Sequence, residues 1–388
     1  MLQITLQRNL RKTILQGHPW VYREALRSIP PNTPAQLCRV FDHKQSPLAW
    51  AIFDPVRPLA LRILSTQKTE PTWQTWEERF GQAQQLRAPL KRRDTTGYRL
   101  FHGEGDRLPG LVCDIYDRIA ALQFDGEAAH SFWCRDELLL WLRKHTQVHT
   151  ILDKSRFHNT PKLLYSEQAS SPQDIAPATI RELGITFLVD VFKGQKTGFF
   201  FDQRENRQYI RELSQGLSVL NLFSYTGGFS VYAGCGGATQ VLSVDIAQAA
   251  VDAAHHNWLL NDLPPDLHQP LCADVFEFLA SPQQRWDVVI VDPPSMAHAE
   301  EQKERAIQKY TEAFALAAKC VKPHGHLMLS SCSSHISFDD FSNILEASMS
   351  RASRTAQILR ISGQGIDHPF PHICPELRYL QFVHCRLN

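Results

Sequence analysis

Residues 286–294 read WDVVIVDPP, and residues 326–334 read HLMLSSCSS. Each stretch is a short apolar run that stops abruptly in polar residues, as a buried parallel strand does at the carboxyl edge of an α/β sheet. Ligands bind at that edge in open sheets of this kind. The two runs therefore predict a sheet edge at which Asp292, followed by two rigid prolines, lies beside the thiol of Cys332.

The same pattern extends over the second half of the chain, from about residue 185. Strand-like runs such as 216–223 (GLSVLNLF) and 240–246 (QVLSVDI) alternate with helix-like runs such as 247–261 and 300–321. Strands that alternate with helices over this length predict a parallel, doubly wound sheet.

The first half of the chain has a different organisation. Short strand-like runs separated by Pro and Asn turns occupy residues 2–65 and predict a small β-barrel. Helical spacing over 71–90 and 130–145, with two strand-like runs between them, indicates a middle α+β domain. The predicted division of the chain is 1–72, 73–183 and 184–388.

The distribution of charged and apolar residues bears on the possible partners and location of the protein. Residues 1–71 contain ten Lys and Arg but four Asp and Glu, although the whole chain has a formal charge of only +1. Such a patch suits contacts to phosphates, and on charge alone a solvated face is as good an explanation. No apolar run approaches the roughly 20 residues of a membrane span, and the polar start lacks the apolar core of a signal peptide. We expect a cytoplasmic protein with no membrane partner.

The cysteines predict neither a metal site nor disulfides. There are nine, with no C-x-x-C pair and an odd one left over. Reduced thiols in a reducing compartment are the simpler interpretation, and no metal ligand is predicted.

A cofactor site is predicted where the first strand of the sheet meets its helix. Residues 221–228 (NLFSYTGG) place backbone N–H groups and a helix dipole at the sheet edge. Asp245 ends the second strand 18 positions after Gly227, where an acid can accept hydrogen bonds from ribose hydroxyls. This fits NAD or S-adenosylmethionine, but the literal G-x-G-x-x-G of a dinucleotide site is absent. Asp274, after the third strand, is placed to accept from an adenine amino group or to cap a helix.

The two strand ends suit attack on a pyrimidine ring. A thiolate that adds to C6 makes C5 nucleophilic, and Cys332 lies in an open polar setting where a thiolate is tolerable. Cys235, Cys272 and Cys320 instead look like core fillers. A protonated Asp292, held by Pro293 and Pro294, can hydrogen-bond N3 of cytosine, whereas an Asp-Pro turn that merely ends a strand is the plain alternative.

Several ordered motifs together resemble one family, the bacterial 5-methylcytosine methyltransferases of large-subunit ribosomal RNA. The motifs span nearly the whole chain: QGHPWVYREA (16–25), GEGDRLPGLVCDIYD (103–117), DVFKGQKTGFFFDQRENR (190–207), VLNLFSYTGGFSVYA (219–233), LSVDIAQAAVDAAHHN (242–257), WDVVIVDPP, LSSCSS (329–334) and DHP (367–369). The resemblance implies an N-terminal PUA-like domain, a central α+β domain and a class I, Rossmann-like methyltransferase domain. It also implies S-adenosyl-L-methionine as cofactor and 23S ribosomal RNA as partner.

The resemblance also implies roles for single residues. Cys332 corresponds to the nucleophile and Asp292 to the acid of the Asp-Pro-Pro motif. The expected cofactor-binding residues are Asn221, Phe223, Ser224, Tyr225, Thr226, Gly227, Asp245 and Asp274. The expected substrate-side residues are Pro293, Pro294, Lys196 and Arg204, the last two from the K-T-G and D-Q-R motif that also contains Asp202.

The chain departs from the family directly after its acid. Ser295 and Met296 follow Asp-Pro-Pro where the family has Lys-Phe, and Ser334 stands where it has Gly. No second cysteine lies near Asp292 to release the product, so another group or water is expected to remove the C5 proton. Methylation of a base nitrogen and a non-catalytic RNA-binding role are the alternatives, and formation of a homodimer is left open.

Overall fold

The computed structural model describes residues 1–27, 29–194, 197–281, 284–297 and 299–388. The predicted substrate residue Lys196 lies outside these ranges. The chain forms two compact units. The first consists of Met1–Gly184, Val189–Phe201 and Ile366–Leu377, and the second of Ile185–Leu188, Asp202–Gly365 and Arg378–Asn388.

The first unit begins with a five-stranded sheet of order β1-β3-β4-β5-β2. Its elements are β1 (Leu2–Thr5), α1 (Arg11–Leu15), β2 (Trp20–Tyr22), β3 (Gln36–Phe41), β4 (Pro47–Phe53) and β5 (Leu59–Ser65). Strand β1 runs parallel to β3, and the other neighbours are antiparallel. Buried Val40, Ala49 and Leu61 belong to its core.

A second sheet of the first unit has the order β10-β9-β8-β7-β6. The elements here are α2 (Trp73–Leu86), α3 (Ala88–Arg92), β6 (Gly97–His102), β7 (Leu111–Tyr116), β8 (Ile119–Phe124), α4 (Glu127–Trp133), α5 (Asp136–Thr146), β9 (Thr150–Asp153), β10 (Lys162–Ser166) and β11 (Ala178–Glu182). Trp76, Phe80 and Ala83, spaced for one helix face, turn α2 toward this core.

Two predicted helices are each divided in the structure. The helix predicted over 71–90 breaks at Arg87, because Pro89 opens a separate helix, α3. The helix predicted over 130–145 is two helices, because Arg135 is extended and α5 starts anew at Asp136.

The second unit contains a seven-stranded sheet of order β15-β14-β13-β16-β17-β19-β18. After β12 (Ile185–Val189), the chain forms α6 (Arg204–Leu213), β13 (Ser218–Leu222), α7 (Gly228–Cys235), β14 (Gln240–Asp245), α8 (Gln248–Leu259), β15 (His268–Cys272), α9 (Val275–Ala280), β16 (Trp286–Val291), α10 (Lys303–Lys319), β17 (Val321–Ser331), α11 (Phe338–Ala352), β18 (Ala356–Ser362) and β19 (Gln381–Leu387). Strands β13 to β17 are parallel, as predicted.

The sheet is not parallel throughout. Strand β19 inserts between β17 and β18 and runs antiparallel to both. The strand order reverses between β13 and β16, which opens a crevice at their carboxyl ends. The predicted cofactor loop and the Asp-Pro-Pro motif both follow strands at this reversal. Among the described residues, no helix has the length and apolar character needed to cross a membrane.

Candidate active site

The loop after β13 has an unusual backbone. Phe223, Tyr225 and Gly227 have φ values of +55°, +46° and +77°. The left-handed region is costly for large side chains, so the surrounding structure must impose it. The Ser224 N–H donates to Val244 O over 3.0 Å, and the Gly227 N–H donates to Ser224 O over 2.9 Å. The loop is therefore held in one shape at the sheet edge.

Two features require glycine at position 227: the positive φ angle and the lack of room for a side chain. A Cβ added there would lie 2.8 Å from the Ala254 Cβ on α8. The neighbouring Thr226 is fixed from the same helix, because Asn257 Nδ2 donates to Thr226 O over 3.0 Å. Sequence reasoning missed Asn257, whose contact joins residues far apart in the chain.

Asp245 connects the end of β14 to this loop. Its Oδ2 accepts the Tyr225 N–H over 2.8 Å, and its Oδ1 accepts the Ala247 N–H over 3.0 Å. A carboxylate oxygen can accept more than one hydrogen bond, so both retain capacity for ribose hydroxyls. Ser224 indicates whether the loop is suited to a ligand. Its Oγ is buried and has no hydrogen-bond partner within the described ranges. A polar ligand at this loop would satisfy that hydroxyl.

Asn221 lies beneath the loop rather than on its surface. It is buried, and its Nδ2 donates to Ser230 Oγ over 2.9 Å. The chain of hydrogen bonds continues from Ser230 Oγ to Ser243 Oγ over 2.6 Å and on to His268 Nε2 over 2.8 Å. Burial, together with the nearby His255, lowers the pKa of His268 to about 4. The ring is therefore neutral at pH 7, and Asn221 supports the loop from within.

Asp274 begins a helix. Its Oδ1 accepts the backbone N–H groups of Phe276 over 2.8 Å and Glu277 over 3.1 Å, which caps α9. Of the two roles predicted for Asp274, the helix cap is therefore present in the structure, and it uses one of the two carboxylate oxygens. Its role toward adenine stays a prediction.

The two strand ends that opened the sequence analysis are neighbours. Strands β16 and β17 pair in parallel, with Val291 opposite Leu329. Beyond them, Cys332 Sγ lies 4.0 Å from Pro293 O. The half-buried thiol and the Asp-Pro-Pro motif therefore share one edge, with Pro293 buried and Pro294 exposed.

Asp292 is held by a glutamine from the D-Q-R motif. Gln203 Nε2 donates to Asp292 Oδ1 over 2.9 Å and to Ser330 Oγ over 2.8 Å. Burial, with a smaller contribution from the negative charge of Asp202, raises the pKa of Asp292 to about 6. Hydrogen bonds from Ser330 and Gln203 and the charge of Arg207 oppose it. The carboxyl group therefore has both charged and neutral forms populated slightly below neutral pH.

Further side chains fix the orientation of that glutamine. Asn206 Nδ2 donates to Gln203 Oε1 over 2.6 Å, and Ser362 Oγ donates to Asn206 Oδ1 over 2.7 Å. With its oxygen occupied in this way, Gln203 must present its amide nitrogen to Asp292. The sequence analysis placed Asp202 and Arg204 at the site but missed the residue between them.

Asp202 and Arg204 themselves are buried in the second unit. Asp202 Oδ2 accepts the Tyr379 hydroxyl over 2.7 Å. Arg204, at the start of α6, has no exposed surface. Any effect of Arg204 on substrate would therefore pass through the residues that cover it.

Ser333 fixes the segment that follows the Asp-Pro-Pro motif. Its buried Oγ lies 3.0 Å from Ser295 Oγ and 2.9 Å from the Tyr310 hydroxyl, and it accepts the Met296 N–H over 3.2 Å. The Ala297 N–H also points to it, over 3.4 Å. Ser295 and Met296, which depart from the family, are thus tied to the strand end that carries Cys332.

Comparison with known proteins identifies the families to which the two parts of the chain are similar. Residues 159–360 match the family described as S-adenosylmethionine-dependent methyltransferase, and residues 4–66 match a PUA-like domain. The chain is similar to the ribosomal RNA large subunit methyltransferase of Deinococcus radiodurans, at 35% identity over 100% of this chain and 98% of that protein. It is also similar to ribosomal RNA large subunit methyltransferase I of Photobacterium profundum, at 33% identity over 98% of each.

The chain belongs to the S-adenosylmethionine-dependent methyltransferase family. A solved structure of a protein assigned to the methyltransferases, complexed with SAH, covers 100% of both chains at 23% identity and a TM-score of 0.86. The predicted fold class is confirmed: a mixed α/β class I methyltransferase fold with an N-terminal PUA-like domain. The cofactor of this methyltransferase is S-adenosylmethionine, as predicted.

Proposed function

We propose that this methyltransferase transfers a methyl group to C5 of a cytosine in 23S ribosomal RNA, through a covalent bond between Cys332 Sγ and C6. The observation that carries the proposal is the 4.0 Å approach of Cys332 Sγ to Pro293 O, which joins a thiol to the Asp-Pro-Pro motif. The names of the two relatives support large-subunit ribosomal RNA as the substrate. The cytosine and its C5 rest on the chemistry of the site.

The cofactor loop would hold S-adenosylmethionine, which supplies an electrophilic methyl group when bound. Asp245 would accept hydrogen bonds from the ribose, and Asp274 from the adenine amino group. Phe223, Ser224, Tyr225, Thr226 and Gly227 would form the wall, with Asn221 beneath them. The buried Ser224 Oγ, which has no partner in the described part of the chain, supports this assignment.

The residues at the strand ends would divide the chemistry on the base. The Cys332 thiolate adds to C6, while Asp292 in its protonated form donates a hydrogen bond to N3 and stabilises the charge that moves into the ring. C5 then takes the methyl group and loses its proton to another group or water. Elimination of the thiolate restores the aromatic ring and frees Cys332.

RNA would be positioned by domains that precede the catalytic one. We assign residues 1–72 to a PUA-like RNA-binding domain, 73–183 to the central α+β domain and 184–388 to the methyltransferase domain. The exposed Lys and Arg side chains among residues 1–71 would contact phosphates. The target base must leave its stack at a cost of a few kcal/mol, which is least in unpaired RNA, so loosely structured ribosomal RNA is the preferred substrate.

Mapping of methylated cytosines in 23S ribosomal RNA, treated with the wild-type protein or with Cys332→Ala, tests this function. One new 5-methylcytosine with the wild type and none with Cys332→Ala is expected. The matched control is Cys235→Ala, since Cys235 ends α7 and burial raises the pKa of its thiol. A methyl group on a base nitrogen, or full activity of Cys332→Ala, would overturn the C5 route. Absence of both product and S-adenosylmethionine binding would favour a non-catalytic RNA-binding role.

A further inference from the structure

Three side chains of the first unit meet at the end of β9, in the central α+β region. His130 lies on α4, Asp153 is the last residue of β9, and His158 lies in the turn before β10. Each offers one ligand atom, and these atoms all lie within 4.8 Å of one another. Asp153 Oδ2 lies 3.4 Å from His130 Nε2 and 3.2 Å from His158 Nε2.

The two separations between Asp153 and the histidines are close to those between ligands of a tetrahedral ion. Zinc binds imidazole nitrogen at about 2.0–2.1 Å and carboxylate oxygen at about 2.0–2.2 Å, which places two ligands about 3.3–3.5 Å apart at the tetrahedral angle. Both measured N···O separations lie close to that range.

The carboxylate is held by groups other than the two histidines. Asp153 is completely buried, and its Oδ1 accepts both the backbone N–H and the hydroxyl of Ser155. Ser155 Oγ in turn accepts the Phe124 N–H over 2.9 Å, which anchors it to the end of β8. Supporting hydrogen bonds of this kind orient the first ligands of metal sites. They leave Asp153 Oδ2 to face the two rings.

The histidines are accessible and suited to binding a cation. The side chains of His130 and His158 are 31% and 13% exposed. Imidazole nitrogen is a common ligand of zinc. Phe124 and Phe157 pack edge-on against the His130 ring and restrict its rotation.

We propose that His130 Nε2, Asp153 Oδ2 and His158 Nε2 bind one zinc ion, with water at the fourth position. The sequence pattern did not indicate this site. None of the three ligands is a cysteine, and they come from a helix, a strand end and a turn. The site is independent of the methyl transfer proposed above. It would fasten α4 and the turn after β9 to the central sheet.

A second group in the first unit is less suited to a metal. His18, Cys374 and Glu376 also bring one ligand atom each within 4.8 Å of the others. Burial, together with the nearby Glu376, raises the pKa of Cys374 to about 12. A metal would have to displace that proton, because the thiolate is the ligand form. This group provides a built-in control with a distinct ligand set.

Cobalt(II) is the probe that distinguishes the two groups. It would be titrated into the full-length protein after treatment with a chelator, and the visible spectrum recorded with competition by zinc. We expect one equivalent of Co²⁺ per chain with tetrahedral d–d bands, no thiolate charge-transfer band, and complete displacement by zinc. His130→Gln and His158→Gln should each weaken binding at least 10-fold, as should Asp153→Asn if that buried variant folds.

Two histidine variants serve as matched controls. His149→Gln, in the same region but outside the group, and His18→Gln, in the second group, should bind Co²⁺ as the wild type does. No d–d bands in the wild type would overturn the proposal. So would bands that survive His130→Gln, or a thiolate band that disappears with His18→Gln. In the first case the three side chains form only a hydrogen-bonded His–Asp–His group.

Discussion

Gln203 Nε2 donates to Asp292 Oδ1 over 2.9 Å, so the residue between Asp202 and Arg204 in the D-Q-R motif holds the acid of the Asp-Pro-Pro motif. The same nitrogen reaches Ser330 at the end of β17. Three segments distant in sequence thus converge on one carboxyl group. Gln203 acts through Asp292 and is a positioning residue.

Replacement of Gln203 should change the pH dependence of the reaction. In Gln203→Leu a hydrogen bond that lowers the pKa of Asp292 is lost, so that pKa rises above the wild-type value of about 6. If protonated Asp292 serves N3, the decline of kcat/KM on the alkaline side of this pKa should move to higher pH. The comparison is kcat/KM against pH for the wild type and the variant. Gln208→Leu, on the same helix, is the control, and an unmoved profile in Gln203→Leu would refute the positioning role.

Asp292 should also decrease the stability of the protein as the pH rises to about 6. Its folded pKa of about 6 lies above the 3.8 of an ordinary aspartate in the unfolded chain, so the folded state retains a proton that the unfolded state has released. The free energy of unfolding therefore falls as pH rises from about 4 to about 6 and is constant above that, a loss of up to about 3 kcal/mol.

Asp292→Asn tests that sign, because its amide oxygen can still accept from Gln203. The variant should be inactive yet up to about 3 kcal/mol more stable than the wild type at pH 8, with the difference gone below pH 4. Urea unfolding at several pH values measures it. A variant less stable than the wild type at pH 8 would show that the folded state favours the charged carboxylate.

Ser333→Ala should loosen the segment after the Asp-Pro-Pro motif. The substitution removes the acceptor of the Met296 N–H and the partner of Ser295 and Tyr310, and leaving such buried groups unpaired costs about 1–3 kcal/mol. We expect that loss in urea unfolding, together with a decrease in kcat/KM for RNA. Ser334→Ala, at the exposed neighbouring position, should change neither. Equal effects of the two substitutions would show that Ser333 does not hold this segment in place.

Gly227→Ala should abolish cofactor binding. Gly216 provides a matched control, because its φ of +74° is close to the +77° of Gly227 but no atom lies within 4 Å of an added Cβ. Both substitutions bear the left-handed penalty of about 1–2 kcal/mol, and only Gly227→Ala adds the contact with Ala254. Calorimetric titration with S-adenosylhomocysteine should show no binding to Gly227→Ala and unchanged binding to Gly216→Ala. Similar affinity in both variants would mean that the loop adapts.

The local pattern of the sequence predicted the parts of the site that depend on strand ends. Asp292 and Cys332 could be placed together because each follows an apolar run, and parallel strands end at one edge. Gln203, Asn257 and Ser333 could not be found in this way. Their roles depend on side-chain contacts between segments far apart in the chain, which no periodicity records. The same holds for His130, whose partners lie on a strand end and a turn.

The extra strand of the sheet was missed for a similar reason. Strand β19 reads QFVHCRL, and all but Arg386 of its residues are buried. Its position between β17 and β18, antiparallel to both, depends on pairing with strands that lie elsewhere in the chain. The residues of β19 alone do not show this pairing. The two divided helices differ in kind: Pro89 is a visible signal of a break, whereas the extended Arg135 has none.

Covalent trapping with RNA tests the central claim most directly. RNA that contains 5-fluorocytosine at the mapped position would be incubated with the protein and S-adenosylmethionine, then analysed by denaturing electrophoresis and mass spectrometry of the linked peptide. Fluorine at C5 cannot leave as a proton does, so the adduct should persist. The account predicts a stable protein–RNA adduct at Cys332 with the wild type and with Cys235→Ala, and none with Cys332→Ala. An active protein that forms no adduct, or an adduct at another cysteine, would contradict it.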